Sequence, residues 1–226
     1  MQTADNALAE LENYASPKDG EFLQGFFKTG EGQYGAGDVF IGVRVPDTRK
    51  VAKKFQDISL ADVEQLLESP IHEMRLLAVI IMANQANKAG KAQHKALLGL
   101  YLRRTDRVNN WDIVDASCRN VVGEWVLKHP ADSSLLLKLA ASKSLWERRI
   151  AMVSTWALIR AGQLDTPYLI AETLLADKHD LIQKAVGWML RTMGDKDPER
   201  LRCVPPHTHC RHAAYGAALC HRALRR

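Results

Sequence analysis

Asn109-Asn110-Trp111-Asp112-Ile113-Val114-Asp115-Ala116-Ser117 is the stretch from which the fold can be read. Its apolar pattern returns in Arg75-Leu-Leu-Ala-Val-Ile80, Arg149-Ile-Ala-Met-Val-Ser154 and Lys184-Ala-Val-Gly-Trp-Met189. The aligned positions 75, 112, 149 and 184 are 37, 37 and 35 residues apart. A period of that length is one helix pair, which cannot bury its apolar face alone and stacks on its neighbours. The expected fold is all-α, an α-solenoid of stacked antiparallel helix pairs of the HEAT or armadillo kind. The same helix of every repeat then lines one concave groove. Within the hub stretch, Trp111 and Asp115 lie four residues apart and share a helix face. Asn109 or Asn110 is placed to cap the helix start. Asp115 falls in the first two turns, where the helix dipole favours its ionised form.

Moving outward, the pattern is helical almost throughout. Helices are expected over about 6–14, 21–28, a segment opening at Pro46, one opening after Ser59, 72–85, 91–104, 109–127, 131–141, 145–160, 167–176 and 179–193. Thr29 to Asp38 holds four glycines in ten residues, too many for a stable helix. It lacks the pattern of a nucleotide-phosphate loop and reads as a mobile connector. Arg49, Lys50, Lys53 and Lys54 then form a basic run beside apolar Val51, Ala52 and Phe55; a solvated face and a phosphate-facing one are both open.

The 226 residues suffice for one sizeable domain, expected over 1–202. A formal charge of +5 and a pI near 9.0 suit an acidic partner without requiring one. No apolar run has the roughly 18–20 residues that a membrane crossing needs, and the start has no secretory pattern. The expectation is a cytoplasmic protein of the bacterial cytosol, with no membrane partner. The four cysteines do not form a disulfide framework.

On the inner helices fall Trp111, Asp115, Arg149, Trp188 and Arg191. A groove for a duplex needs fixed cations, for which Arg148, Arg149, Lys184 and Arg191 are candidates, with Arg49 further upstream. Lys184, Trp188 and Arg191 share one helix face that suits a phosphodiester strand; it equally suits a buried indole flanked by snorkelling cations. Arg148 and Arg149 point about 100° apart and cannot serve one role. From the residues alone, Asp115 is either a reacting carboxylate or an N-terminal-turn acid paired with a neighbouring arginine. Asp112 points away from Trp111 and Asp115 and reads as structural. Trp125, Trp146 and Trp156 read as packing.

Four segments resemble, in order, the AlkD-like DNA alkylation-repair glycosylases: Phe40-Ile-Gly-Val-Arg-Val-Pro46, Asn109 to Asp115, Trp146-Glu-Arg-Arg-Ile-Ala-Met152, and Ile182 to Arg191. The resemblance runs from about Phe22 to Pro198. It implies a monofunctional DNA glycosylase that hydrolyses the N-glycosidic bond of cationic alkylated purines, 7-methylguanine and 3-methyladenine, in duplex DNA, as a monomer without cofactor or metal. It implies Asp115, Trp111 and Trp188 as the catalytic residues and Arg149, Arg191, Lys184 and Arg49 as DNA-binding ones. It selects Arg149 over Arg148, because the motif has Trp and then Arg three positions on. It also implies that the backbone is gripped while the lesion stays stacked. The alternative class is a non-catalytic HEAT-repeat scaffold that binds nucleic acid or protein.

Two departures from the family stand out. Phe26 stands near where some relatives carry a tyrosine. After Pro198 the composition changes abruptly, and 203–226 form an atypical tail with Cys203, His207, His209, Cys210, His212, Cys220 and His221. Their spacings match no ordinary zinc module. A shifted reading frame that replaces the family's last helices accounts for the change, and translating the neighbouring frame of the gene tests it.

Overall fold

The computed structural model describes residues 2–202; the readings made for 203–226 lie outside the described residues. Fourteen α-helices and no strand occur among the described residues. Residues 39 and 71 form an isolated parallel bridge. The chain divides into two compact units, the first ending at Val121 and the second beginning at Val122.

The first unit holds α1 (Ala4–Glu12), α2 (Pro17–Phe26), α3 (Val45–Lys54), α4 (Leu60–Leu67), α5 (His72–Lys88), α6 (Lys91–Arg103) and α7 (Trp111–Cys118). Local chemistry explains the starts. Thr3, Ser16 and Ser59 each accept the N–H three residues on, so an orphan donor of the first turn is satisfied. α5 is the centre. From His72 to Ala83 every residue is buried, so the helix is covered all round. It packs on α3, α4, α6 and α7. Each fully buried Leu, Ile or Met contributes about 1.5–3 kcal/mol over an exposed one.

The second unit holds α8 (Glu124–Lys128), α9 (Ser134–Ala140), α10 (Leu145–Ser154), α11 (Trp156–Arg160), α12 (Asp165–Leu174), α13 (Asp180–Gly194) and α14 (Pro198–Arg202). Here α10 takes the central place, against α9, α12 and α13. The aligned positions 75, 112, 149 and 184 fall in α5, α7, α10 and α13. Repeat-equivalent helices pack on each other within each unit, α5 on α7 and α10 on α13. The all-helical repeat fold that the period predicts is therefore present.

Two expected helices are interrupted. The stretch 109–127 is α7, then a π-helical turn Arg119–Gly123, then α8. A π turn disturbs the i→i−4 ladder, and the buried Val121 carbonyl receives the His94 Nε2–H at 2.9 Å instead. The stretch 145–160 breaks at Thr155, whose hydroxyl donates back to the Met152 carbonyl at 2.6 Å. At Gly123 the backbones nearly touch. A Cβ there would stand 2.3 Å from the Ser154 carbonyl oxygen. We expect Gly123→Ala to cost about 1–3 kcal/mol, as overpacking does, read as a lower urea midpoint at unchanged slope.

Candidate active site

Site geometry begins with a loop that pairs with no strand. The backbone N–H groups of Ile41, Gly42 and Val43 all donate to the Glu73 carboxylate, at 3.2, 2.8 and 3.2 Å. Glu73 is buried on α5, so these donors are satisfied away from water. Gly42 has φ +83, and a Cβ would lie 2.0 Å from the Ser16 carbonyl oxygen; only glycine fits. This explains physically why the segment Phe40-Ile-Gly-Val reads as it does. The glycine-rich stretch before it is stitched by turns, including Gly35 N–H to Lys28 O at 3.2 Å and Asp38 N–H to Gly35 O at 3.0 Å.

Those turns deliver Asp38 into a buried ionic network. Its Oδ1 accepts from Arg75 Nη2 at 2.6 Å, and its Oδ2 meets His72 Nδ1 and Asn110 Nδ2, both at 3.1 Å. The other imidazole nitrogen, His72 Nε2, meets Asp112 Oδ2 at 2.8 Å. Asp112 Oδ1 accepts the N–H of Ile113 at 2.9 Å, and Asn110 Oδ1 that of Trp111 at 2.8 Å. Asn110 is thus the cap of α7, and Asp112 is structural through His72 as well as through the helix start. The start of α7 is fixed to α5 and to the loop ending at Asp38. None of His72, Arg75 or Asp38 stood out in the sequence. Their ionic contacts span 34 to 40 residues and the Asn110–Asp38 bond spans 72, and no periodicity reports such contacts.

Both carboxylates act on the imidazole. Burial alone would push His72 down, but the Asp112 charge and then Asp38 outweigh it, and hold it up at about 9. Burial likewise opposes Asp38, but the His72 hydrogen bond and the Arg75 charge bring it below the ordinary 3.8. The signs follow. A raised histidine contributes its full stability below the unfolded value of 6.5 and loses it as pH rises through about 9. The depressed Asp38 contributes above 3.8 and loses its share as pH falls. We expect the urea midpoint to decline between pH 6.5 and 9.5, and His72→Gln to abolish most of that decline.

Aromatic rings continue outward from this network. His72 stacks on Phe40 at 4.4 Å and lies 4.9 Å from Phe27; Phe27 stacks on Trp111 at 5.2 Å. Phe26 meets Trp111 edge-on at 6.2 Å, and Phe22 stacks on Phe26 at 6.1 Å. Phe22 and Phe26 are 66% and 54% exposed, so the series ends in solvent. On α7, Ile113 and Val114 are buried, whereas Trp111 and Asp115 are partly exposed. The helix therefore presents indole and carboxylate one turn apart.

In the second unit, Arg149 on α10 is only 6% exposed, and its Nη1 donates to the Leu181 carbonyl of α13 at 2.5 Å. Its guanidinium is held against α13 rather than extended into water. Arg148 pairs with Asp177 at 2.6 Å. Trp188 is partly exposed on α13, its ring 5.2 Å from that of Trp156. Lys184 is exposed and pairs with Asp180 at 3.0 Å. Arg191 is exposed, as is Arg49 in the first unit. Trp125 is buried and donates to Asp132 at 2.8 Å, a packing role. No group of three His, Cys, Asp or Glu side chains suited to a metal occurs among the described residues. None of their helices is long and apolar enough to cross a membrane.

This arrangement, a helical-repeat chain carrying a locked Trp–Asp helix, meets its relatives as follows. Residues 7–203 match the family model described as DNA alkylation repair enzyme, and the chain belongs to that family. Among solved structures, it is similar to one described as "Predicted DNA alkylation repair enzyme from Enterococcus faecalis". The TM-score is 0.66 at 17% identity, over 93% of this chain and 94% of that one, a likeness of fold. No curated protein matches.

Proposed function

We propose that this protein is a monofunctional DNA glycosylase. It hydrolyses the N-glycosidic bond of cationic alkylated purines, 7-methylguanine and 3-methyladenine, in duplex DNA of the cytoplasm, acting as a monomer. Membership of a DNA alkylation repair family supports a role in that repair. The observation that carries the reading further is α7 itself, where a partly exposed carboxylate stands one turn from a partly exposed indole on a helix start fixed by buried ions.

The chemistry fits one acid. An alkylated ring nitrogen makes the base cationic before the bond breaks. The C1′–N bonding electrons then pass to the base, which leaves neutral and needs no general acid. Positive charge develops on the sugar in an oxocarbenium-like transition state. Asp115 offsets that charge and holds the water that attacks C1′; the water's proton passes to Asp115 or to solvent. Trp111, one turn from Asp115, lies against the electron-poor sugar or lesion, where cation–π attraction contributes about 0.5–2 kcal/mol. Arg49 and Arg191 hold phosphates, with Lys184 and Arg149 adding charge.

Chromatography of the supernatant after incubation with methylated duplex DNA tests the reading. Free 7-methylguanine together with an equal yield of abasic sites supports it. Retention of duplex with no free base would instead make the chain a binding scaffold.

A further inference from the structure

The first unit carries a cluster of cations of which the reading above uses Arg49 alone. α3 and α5 enclose a cleft of about 330 Å³, lined by Arg49, Lys53, Asn84, Asn87 and Lys88 together with Gln56 and Ile80. No carboxylate lines it. The pattern of pairing on α3 is selective. Lys50 is held by Asp47 at 2.7 Å and Lys54 by Glu10 at 2.8 Å, away from the cleft. Arg49 and Lys53, one turn apart and exposed, make no ion pair among the described residues. Lys88 Nζ donates to the neutral Gln56 Oε1 at 2.8 Å and keeps its charge uncompensated. Asn87 Oδ1 is occupied by Asn120 Nδ2 at 2.6 Å, which leaves its amide N–H groups to donate.

Three cations and two amides around one opening, with no acid in its lining, suit a phosphate oxygen. Position separates this cleft from the Trp111–Asp115 face. α5 and α7 are joined at their starts through His72 and Asp112. Asn87 and Asn120 join α5 to the π turn that follows α7, so the two helices run side by side in one direction. At 1.5 Å per residue, Asn84 and Asn87 stand about 18–22 Å along α5 from the clamp, whereas Asp115 stands only about 4–5 Å along α7. The Asn84–Asn87 end of the cleft therefore lies about 13–18 Å beyond Asp115 along the paired helices, a spacing that suits a different phosphate from the one beside the reacting sugar.

We propose that this cleft binds a phosphodiester of the duplex remote from the reacting nucleotide, and so sets affinity independently of the lesion. The proposal rests on the reading that duplex DNA is the substrate. Its test uses undamaged duplex, and the titration of binding against salt. For the wild-type protein log K falls with log salt. Lys53→Gln and Arg49→Gln are each expected to reduce that slope by about 1, equally for different sequences. Asn84→Asp, which places an acid in the cleft, is expected to weaken binding as well. Lys50→Gln, on the same helix but paired, is expected to leave the slope as it is. Unchanged slopes in Lys53→Gln and Arg49→Gln, with helicity retained, would overturn the proposal. So would thermal stabilisation of the protein by inorganic phosphate, lost in Lys53→Gln, if the DNA slope stayed at its wild-type value; the site would then serve free phosphate. Base release by the wild-type protein is measured separately. A reduced slope with no base released by any variant would keep the anion site and remove the glycosylase reading.

Discussion

Asp115→Asn is expected to lower the single-turnover rate of the proposed 7-methylguanine release by about two to four orders of magnitude, the range lost with a positioned acid–base group. Each tenfold is 1.36 kcal/mol of transition-state stabilisation. Asparagine keeps the shape and the partial exposure of the side chain, but removes the charge that offsets an oxocarbenium ion. Because the substitution acts on the transition state, duplex affinity changes little while the rate falls. Trp111→Phe is the milder comparison. Phenylalanine preserves the stacking on Phe27 that holds the ring in place, and forfeits part of a cation–π term worth about 0.5–2 kcal/mol, a change of up to about thirtyfold. Equal rates for Asp115→Asn and the wild type would remove Asp115 from the mechanism.

Asp38→Ala is expected to destabilise the first unit by about 3–5 kcal/mol, as removing one partner of a buried ion pair does. The loss is large because Asp38 faces the Arg75 guanidinium, the His72 imidazolium and the Asn110 amide together. Without it, the buried Arg75 guanidinium has no carboxylate in ion-pair reach among the described residues and faces a His72 imidazolium that Asp112 alone still holds. At about 2–4 °C per kcal/mol for a chain of this size, the melting temperature falls by roughly 6–20 °C. The start of α7 also loses an anchor, so base release, measured below the new transition, falls further than the folded fraction does. Asp38→Asn, which keeps the hydrogen-bond acceptor but not the charge, separates geometry from electrostatics by its smaller loss. A melting temperature equal to that of the wild type would mean that the network does not carry charge in solution.

How much of this was legible in the chain depends on range. Short-range physics wrote itself plainly. The caps at Ser59 and Asn110 are set by oxygens within three residues of the donors they satisfy, whereas Ser16-Pro17-Lys18-Asp19-Gly20 reads as a turn and is in fact the capped first turn of α2. The period of 37, 37 and 35 residues announced repeated helix pairs, because burying one face of each pair demands the same apolar spacing every time. Trp111 and Asp115 could be set on one face of one helix by arithmetic alone. The π turn at Arg119–Gly123 was not visible, since it answers to a buried carbonyl that His94 fills from another helix.

The sequence by itself therefore determined most of the helices, though not the breaks at Arg119–Gly123 and Thr155, together with their repetition and the indole–carboxylate pair on α7. Only the tertiary structure decided what makes that helix start rigid. Asp38 ends a glycine-rich run, His72 opens α5 and Asp112 lies in the first turn of α7, and they meet because a buried ion must be paired or hydrogen-bonded. It likewise decided that Arg149 lies covered against α13 while Arg49 and Lys53 face an acid-free cleft. A charge in the sequence carries no record of its partner: hydrophobic spacing repeats along the chain, whereas electrostatic pairing is settled by which segments packing brings within a few ångströms.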